Sequence, residues 1–238
     1  MYPVGQWFMA NSLATEKVLP YALLGMTAVT GLVDAVSFLS LGRVFTTNMT
    51  GNIVLLEFAT ARVSGLSIAR SLTALLAFLV GAILGGRIMA RASADSQTRF
   101  AAQAFLLEVA FLFAASFCGI GYRGDRLEDS FQPFALVVLT ALAMGRRNAA
   151  VRKLAIPDLT TTVLTLTITG IGVDSSLAKG NNPRLARRVA SVAAMFLGAA
   201  LGAVTIRYSI SAALWLATVI SAVCGVVWFR SGPTLDKP

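Results

Sequence analysis

The chain has 238 residues, 56% hydrophobic and 13% charged, with a mean hydropathy of +0.75. Ordinary soluble domains are much less apolar, so this composition predicts a polytopic membrane protein. The sequence has no histidine, which excludes histidine metal sites, Ser-His-Asp triads and histidine proton relays. The net charge of +9 does not require a nucleic-acid partner, because basic loops are expected on the cytoplasmic side of membrane proteins.

Apolar stretches long enough to cross a bilayer, about 20 residues each, occur six times along the chain. They lie at 19–41, 68–90, 100–121, 131–151, 184–206 and 208–229. The segment before the first stretch, 1–18, lacks the charged start, apolar core and cleavage site of a signal peptide, so we expect it to be retained. With both termini in the cytoplasm, most of the 20 Lys and Arg residues fall inside, as the positive-inside rule requires.

A polar cluster interrupts the apolar pattern directly after the first stretch. Backbone that leaves a helix in a membrane must be buried by protein or line a watery cavity. The cluster supplies hydrogen-bond donors and acceptors, and we interpret these residues as a substrate-binding site: Thr47, Asn48, Thr50, Gly51 and Asn52. The alternative is that Thr and Asn only cap a re-entrant helix, while Gly permits the turn.

A second polar cluster follows the fourth stretch, at 159–165, and contributes Thr161, Thr162 and Thr165 to the predicted site, together with Asn148 of the fourth stretch. Paired helix breaks at matching places in two halves are a pointer to the binding site of a secondary transporter. We therefore expect the two breaks to face each other near the bilayer midplane.

The two halves also match each other in sequence. A Gly and an Ala of the first stretch recur in the fourth, as Gly31 and Ala35 with Gly145 and Ala149, and Asp34 is matched by Asn148. A Gly-x-x-x-Gly pair also recurs, as Gly81 and Gly85 with Gly198 and Gly202. Such glycines allow close packing of helices, either within one chain or between subunits. Three spans in each half make the repeat inverted.

The predicted fold is an all-α polytopic membrane protein with six transmembrane helices, arranged as two inverted three-helix repeats with broken or re-entrant helices. The first repeat covers 19–121 and the second 131–229. An external loop, 122–130, joins them, and a cytoplasmic tail covers 230–238.

Acidic residues inside membrane spans are costly and mark pathways, proton relays or buried partners. Asp34 lies well inside the first stretch and Glu108 near the middle of the third. Glu57 follows the first break and faces either the cavity or the outer surface. We predict that these three acids are candidates for coupling transport to an ion, with Asp34 also binding substrate. The alternative for Asp34 is a hydrogen bond that only fixes helix packing.

The basic residues at the end of the fourth stretch include Arg146 and Arg147. We expect their side chains to snorkel to the cytoplasmic surface and to set the topology. A second interpretation is that one of this pair neutralises an anionic ligand or headgroup near the second break.

Several motifs resemble one protein family. Gly31-x-x-Asp34-Ala35-x-Ser37-Phe38, Val44-Phe45 and Met49-Thr50-Gly51-Asn52 resemble the YoaK family of bacterial six-span membrane proteins, catalogued as a domain of unknown function. Gly145-x-x-Asn148-Ala149 and the Thr-rich stretch at 160–165 resemble its second half, although Arg146-Arg147 is more charged than expected. The resemblance covers about 19–229 and implies the architecture and a bacterial inner membrane, but no activity.

Together these features predict a transporter of an unknown small solute or ion, embedded in the lipid bilayer. A different class, a non-transporting membrane module that stabilises or regulates a partner complex, stays open, as does a homo-oligomer. The sequence shows no metal-ligand cluster or catalytic motif, so we expect no enzyme activity, no cofactor and no bound metal.

Overall fold

The structure is a computed structural model and describes residues 4–91, 97–122, 124, 131–154 and 164–231. Over those residues the chain forms eight α-helices and one 3-10 turn, with no strand. The α-helices are α1 (Val4–Ser40), α2 (Met49–Thr60), α3 (Ile68–Ala90), α4 (Gln97–Cys118), α5 (Phe131–Leu154), α6 (Leu164–Val173), α7 (Leu185–Thr205) and α8 (Ile210–Ser231).

Within the described part of the chain, five helices are long and apolar enough to cross a membrane: Pro20–Ser40, Ile68–Ala90, Phe131–Lys153, Leu185–Thr205 and Ile210–Arg230. They coincide with five of the six predicted stretches. The remaining stretch, at 100–121, coincides with α4, in which the apolar segment is the shorter Phe105–Cys118. The chain is therefore an all-helical polytopic membrane protein, as the composition predicts.

Helix α1 is longer than the first apolar stretch, because it starts at Val4 and continues through Pro20. The predicted border between 18 and 19 is therefore not a break in the backbone. It remains a prediction about where the chain enters the membrane.

Burial separates the long helices into a central and a peripheral set. The spans in α1 and α5 are 67% and 61% buried inside the protein, whereas those in α3 and α7 are only 28% and 22% buried. The main hydrophobic core joins α1, α4, α5 and α8, through residues such as Leu32, Leu112, Leu136 and Leu214. Helix α3 contributes only Ala74 to the buried residues of this core and α7 none, and both helices expose large apolar side chains, as expected for contact with lipid.

The Gly-x-x-x-Gly pairs attach each peripheral helix to a central one. Helix α3 packs on α5, where a Cβ added to Gly85 would lie 2.6 Å from the carbonyl oxygen of Arg146. Helix α7 packs on α1, where a Cβ added to Gly202 would lie 2.8 Å from the carbonyl oxygen of Leu32. These distances leave no room for a side chain, so the predicted role of these glycines in close packing is confirmed, within one chain.

The other glycines of the two sets repeat the same contacts one turn away. Gly81 lies against the carbonyl of Leu142 on α5, and Gly198 lies against that of Ala28 on α1. The pair α3 with α5 therefore has the same contact spacing as the pair α7 with α1.

Candidate functional site

The first break folds back onto the helix that precedes it. Helix α1 ends at Ser40, and the break returns Thr47 to the level of Asp34, which is buried within α1. The backbone N–H of Thr47 donates to Asp34 Oδ1 at 3.1 Å, and the Thr47 hydroxyl donates to Oδ2. Both carboxylate oxygens of a buried acid are thus satisfied by one residue of the break.

The start of α2 is held by amide side chains that bond to nearby backbone. Asn52 is fully buried; its Oδ1 accepts from the Phe45 N–H at 2.8 Å, and its Nδ2 donates to the Phe45 carbonyl. Asn48 is the N-cap of α2, where its Oδ1 accepts from the N–H of Gly51 at 3.2 Å. These contacts are those of caps and turns, the alternative stated for this cluster.

A second buried polar group lies in the centre of the bundle, and sequence reasoning did not assemble it. Arg147 and Glu108 are both fully buried and form an ion pair, Nη1 to Oε1, of 3.0 Å. Ser221 also donates to Glu108 Oε1, at 2.9 Å, and Arg147 Nη2 donates to the hydroxyl of Thr30. These four residues lie on α4, α5, α8 and α1, so one ionic cluster joins all four central helices.

The Arg147 side chain therefore turns inward, whereas the sequence analysis expected it to snorkel to the cytoplasmic surface. Arg146 beside it is also buried, at 3% exposure. The physical reason is that Glu108 lies within reach on the adjacent helix, so the guanidinium finds an opposite charge inside the bundle. One acidic and one basic residue at similar depth in different spans were the signal in the sequence for this pairing.

The second break lies only partly within the described residues. Thr161 and Thr162 lie outside them. Thr165 is exposed on α6, and Asn148 is half-buried on α5. Helix α6 is anchored to α7, because Arg188 Nη1 donates to the Gly170 carbonyl at 2.6 Å and pairs with Asp174 Oδ2 at 2.7 Å.

The predicted site residues thus fall into separate groups. Asp34 and Thr47 are in direct contact, and Asn52 is buried in the same break. Thr50 and Glu57 are exposed, and so is Asn48. Glu108 belongs to the central cluster. The binding and coupling roles of these residues stay predictions.

A sequence profile of the family described as "Protein of unknown function (DUF1275)" matches residues 22–227. The UPF0700 transmembrane protein YoaK of Bacillus subtilis (strain 168) is 37% identical over 156 residues. That alignment covers 65% of this chain and 65% of the relative, which is less than two thirds of its length. No solved structure matches the chain. The profile match contains both the Asp34 contact and the central ion pair.

Proposed function

We propose that this chain carries a small polar solute or ion across the membrane. The chain belongs to the DUF1275 family, which confirms the resemblance seen in its motifs. The observation that carries the proposal is the fully buried ion pair of Arg147 and Glu108. Apolar residues of similar volume would often stabilise a core as well or better. Ionisable groups at this depth in a membrane are by default functional. A role in transport therefore explains this ion pair, which joins α4 of the first half to α5 of the second, better than a role in stability does.

We infer the topology as six spans, with α4 as the third and with both termini in the cytoplasm of a bacterial inner membrane. When Arg146 and Arg147 are counted with the bundle and not with the cytoplasmic loops, most of the other basic residues still fall on the cytoplasmic side. The equal contact spacing of α3 on α5 and α7 on α1 supports two related halves. Because each half would cross three times, the second would enter from the opposite face.

Labelling of single cysteines tests this topology. In a background without the free Cys118 and Cys224, a membrane-impermeant maleimide should label Ser64→Cys in intact cells. It should label Lys179→Cys only after permeabilisation; both positions are exposed. Labelling of both positions from one face would overturn the inverted arrangement.

In the proposed mechanism the two halves rock against each other about the central cluster, so that access alternates between the two faces. The contact of Asp34 with Thr47 closes the first break on its side. Protonation of Asp34, or binding of a cation to it, would remove an acceptor from Thr47 and free this part of the break. No step requires a catalytic residue or a cofactor.

Flux through purified protein in liposomes tests the function. Labelled amino acids, organic acids, and inorganic cations and anions should include at least one species that enters faster than in protein-free liposomes. The double variant Glu108→Leu/Arg147→Met should stay folded and lose this flux, whereas Arg152→Gln, at an exposed position of α5, serves as the control that keeps it. Full flux in the double variant would show that the ion pair only packs the bundle. Absence of flux for every compound would favour a non-transporting module.

A further inference from the structure

Arg146 is a buried cation, and two of its nitrogens have no hydrogen-bond partner among the described residues. Its Nε and Nη2 are shielded from solvent, and neither has a hydrogen-bond partner within the described part of the chain. The guanidinium lies over the ring of Phe111, with Cζ 5.8 Å from the ring centroid. A cation–π contact of this kind offsets only part of the cost of removing a charged group from water. The guanidinium edge therefore needs a further partner.

The charges around Arg146 indicate the sign of that partner. Arg146 and Arg147 are adjacent on α5, and Glu108 is the carboxylate that forms an ion pair in this cluster. Glu108 Oε1 accepts from Arg147 and Ser221, whereas its Oε2 is buried and has no hydrogen-bond partner among the described residues. Asp34, the other buried acid of the first half, has both oxygens bound by Thr47. Among the described residues, two cations thus share one carboxylate, which leaves one positive charge to be balanced.

The backbone of Arg146 is held firmly in place. Its carbonyl oxygen lies against Gly85 of α3, in one of the close glycine contacts. Arg146 precedes the last residue of α5, Leu154, by about two turns, or roughly 12 Å along the helix axis. Arg146 as a whole is 3% exposed, so the bundle encloses the guanidinium and favours a small ion over the bulky headgroup of a lipid.

We propose that Arg146 is the main contact of a binding site for a small oxyanion, such as a carboxylate or an inorganic oxyanion. The planar edge of a guanidinium donates two parallel N–H bonds, a geometry that matches two oxygens of one anion. The Phe111 ring covers one planar face of the guanidinium, and Arg147 adds a second positive charge nearby. The inference rests on the proposed function in one respect, since it assigns the anion to the transported solute or a co-transported ion.

Thermal unfolding of the full chain in nanodiscs tests the site. The probes are sodium acetate, sodium nitrate and sodium phosphate, each compared with sodium chloride at equal ionic strength and pH, in nanodiscs of phosphatidylcholine alone. A bound anion stabilises the folded state by mass action, so at least one oxyanion should raise the melting temperature in a saturable way. Arg146→Gln should abolish this rise. Arg146→Lys keeps the charge but loses the planar edge, and should raise the half-saturating concentration roughly tenfold.

Arg152→Gln is the matched control, because Arg152 is an exposed arginine on the same helix. It should leave the response unchanged. Absence of a saturable rise with all three oxyanions, or equal loss of the rise in Arg152→Gln, would overturn the proposal. Should Arg146→Gln fail to fold, an unchanged half-saturating concentration in Arg146→Lys would overturn it as well.

A second arm separates free anions from lipid phosphate, which has the same chemistry. Nanodiscs containing phosphatidylglycerol, without added oxyanion, should not reproduce the Arg146-dependent rise. If only these nanodiscs gave it, the site would belong to a headgroup and the proposal of a small oxyanion would be wrong. A saturable, Arg146-dependent rise in a protein without flux would overturn transport and leave the anion site standing.

Discussion

The two buried acids of the first half, Asp34 and Glu108, are satisfied in opposite ways. Asp34 accepts two hydrogen bonds from uncharged donors, the N–H and the hydroxyl of Thr47, which is close to it in the chain. Glu108 pairs with a cation on α5 and accepts a hydroxyl from α8, both far away in sequence. Asp34 therefore fixes a local break, whereas Glu108 joins helices of both halves. Removing a partner should have different consequences at the two places.

The largest effect is expected at the central ion pair. Arg147→Met alone removes the cation that is hydrogen-bonded to the buried Glu108 carboxylate and should lower the free energy of unfolding by about 3–5 kcal/mol. The double variant Glu108→Leu/Arg147→Met removes both charges and should remain within about 1.5 kcal/mol of the wild type. Chemical unfolding in detergent measures both. Equal losses in the single and double variants would show that charge pairing is not what stabilises this cluster.

The glycine contacts extend the comparison, because each one holds in place a helix that carries a residue of one of the two buried contacts, Arg147 with Glu108 or Asp34 with Thr47. Gly85→Leu would displace α5, which carries Arg147, and Gly202→Leu would displace α1, which carries Asp34. Each should cost about 1–3 kcal/mol or more by overpacking. Gly86→Leu is the control on α3, since an added Cβ there would meet nothing within 4 Å. Similar melting temperatures for Gly85→Leu and Gly86→Leu would contradict this packing.

A smaller loss is expected at the Asp34 contact. Asp34→Asn keeps the size but replaces one acceptor oxygen with an NH2 donor. If this donor faces the Thr47 hydroxyl, the hydroxyl must turn and accept, and if it faces the N–H, two donors oppose each other. In either case the hydrogen bonds to a charged carboxylate are lost, which should cost about 1–3 kcal/mol, and Thr47→Val, which removes the hydroxyl alone, should cost about 1 kcal/mol. Unfolding and flux are measured together. Loss of flux or of its pH dependence in a folded Asp34→Asn variant supports a coupling role, whereas full flux with lower stability indicates packing alone.

The smallest effect is expected at Thr50, in the same break but exposed. Thr50→Val should change the free energy of unfolding by less than about 0.5 kcal/mol, as is usual at surface positions. If Thr50 binds substrate, the variant should still weaken binding by roughly 1–3 kcal/mol. A large loss of stability would instead place Thr50 in a contact that the first break needs.

Local patterns were sufficient to predict much of the fold. Span length and composition predicted the helices, because about 20 apolar residues are required to cross a bilayer. Gly81-x-x-x-Gly85 and its repeat predicted close helix contacts, because only a residue without a side chain lets backbones approach so closely. The polar cluster at 45–52 predicted a break next to Asp34, although its capping contacts were only an alternative.

The sequence by itself determined that this is a membrane protein, where its long helices and its first break lie, and that Asp34 and Glu108 lie inside its spans. Only the tertiary structure decided which group each acid contacts. Asp34 meets Thr47 because the break returns along α1, and Glu108 meets Arg147 because α4 packs against α5. A charge inside a membrane requires a partner, but the identity of that partner depends on helix packing, which no local pattern encodes.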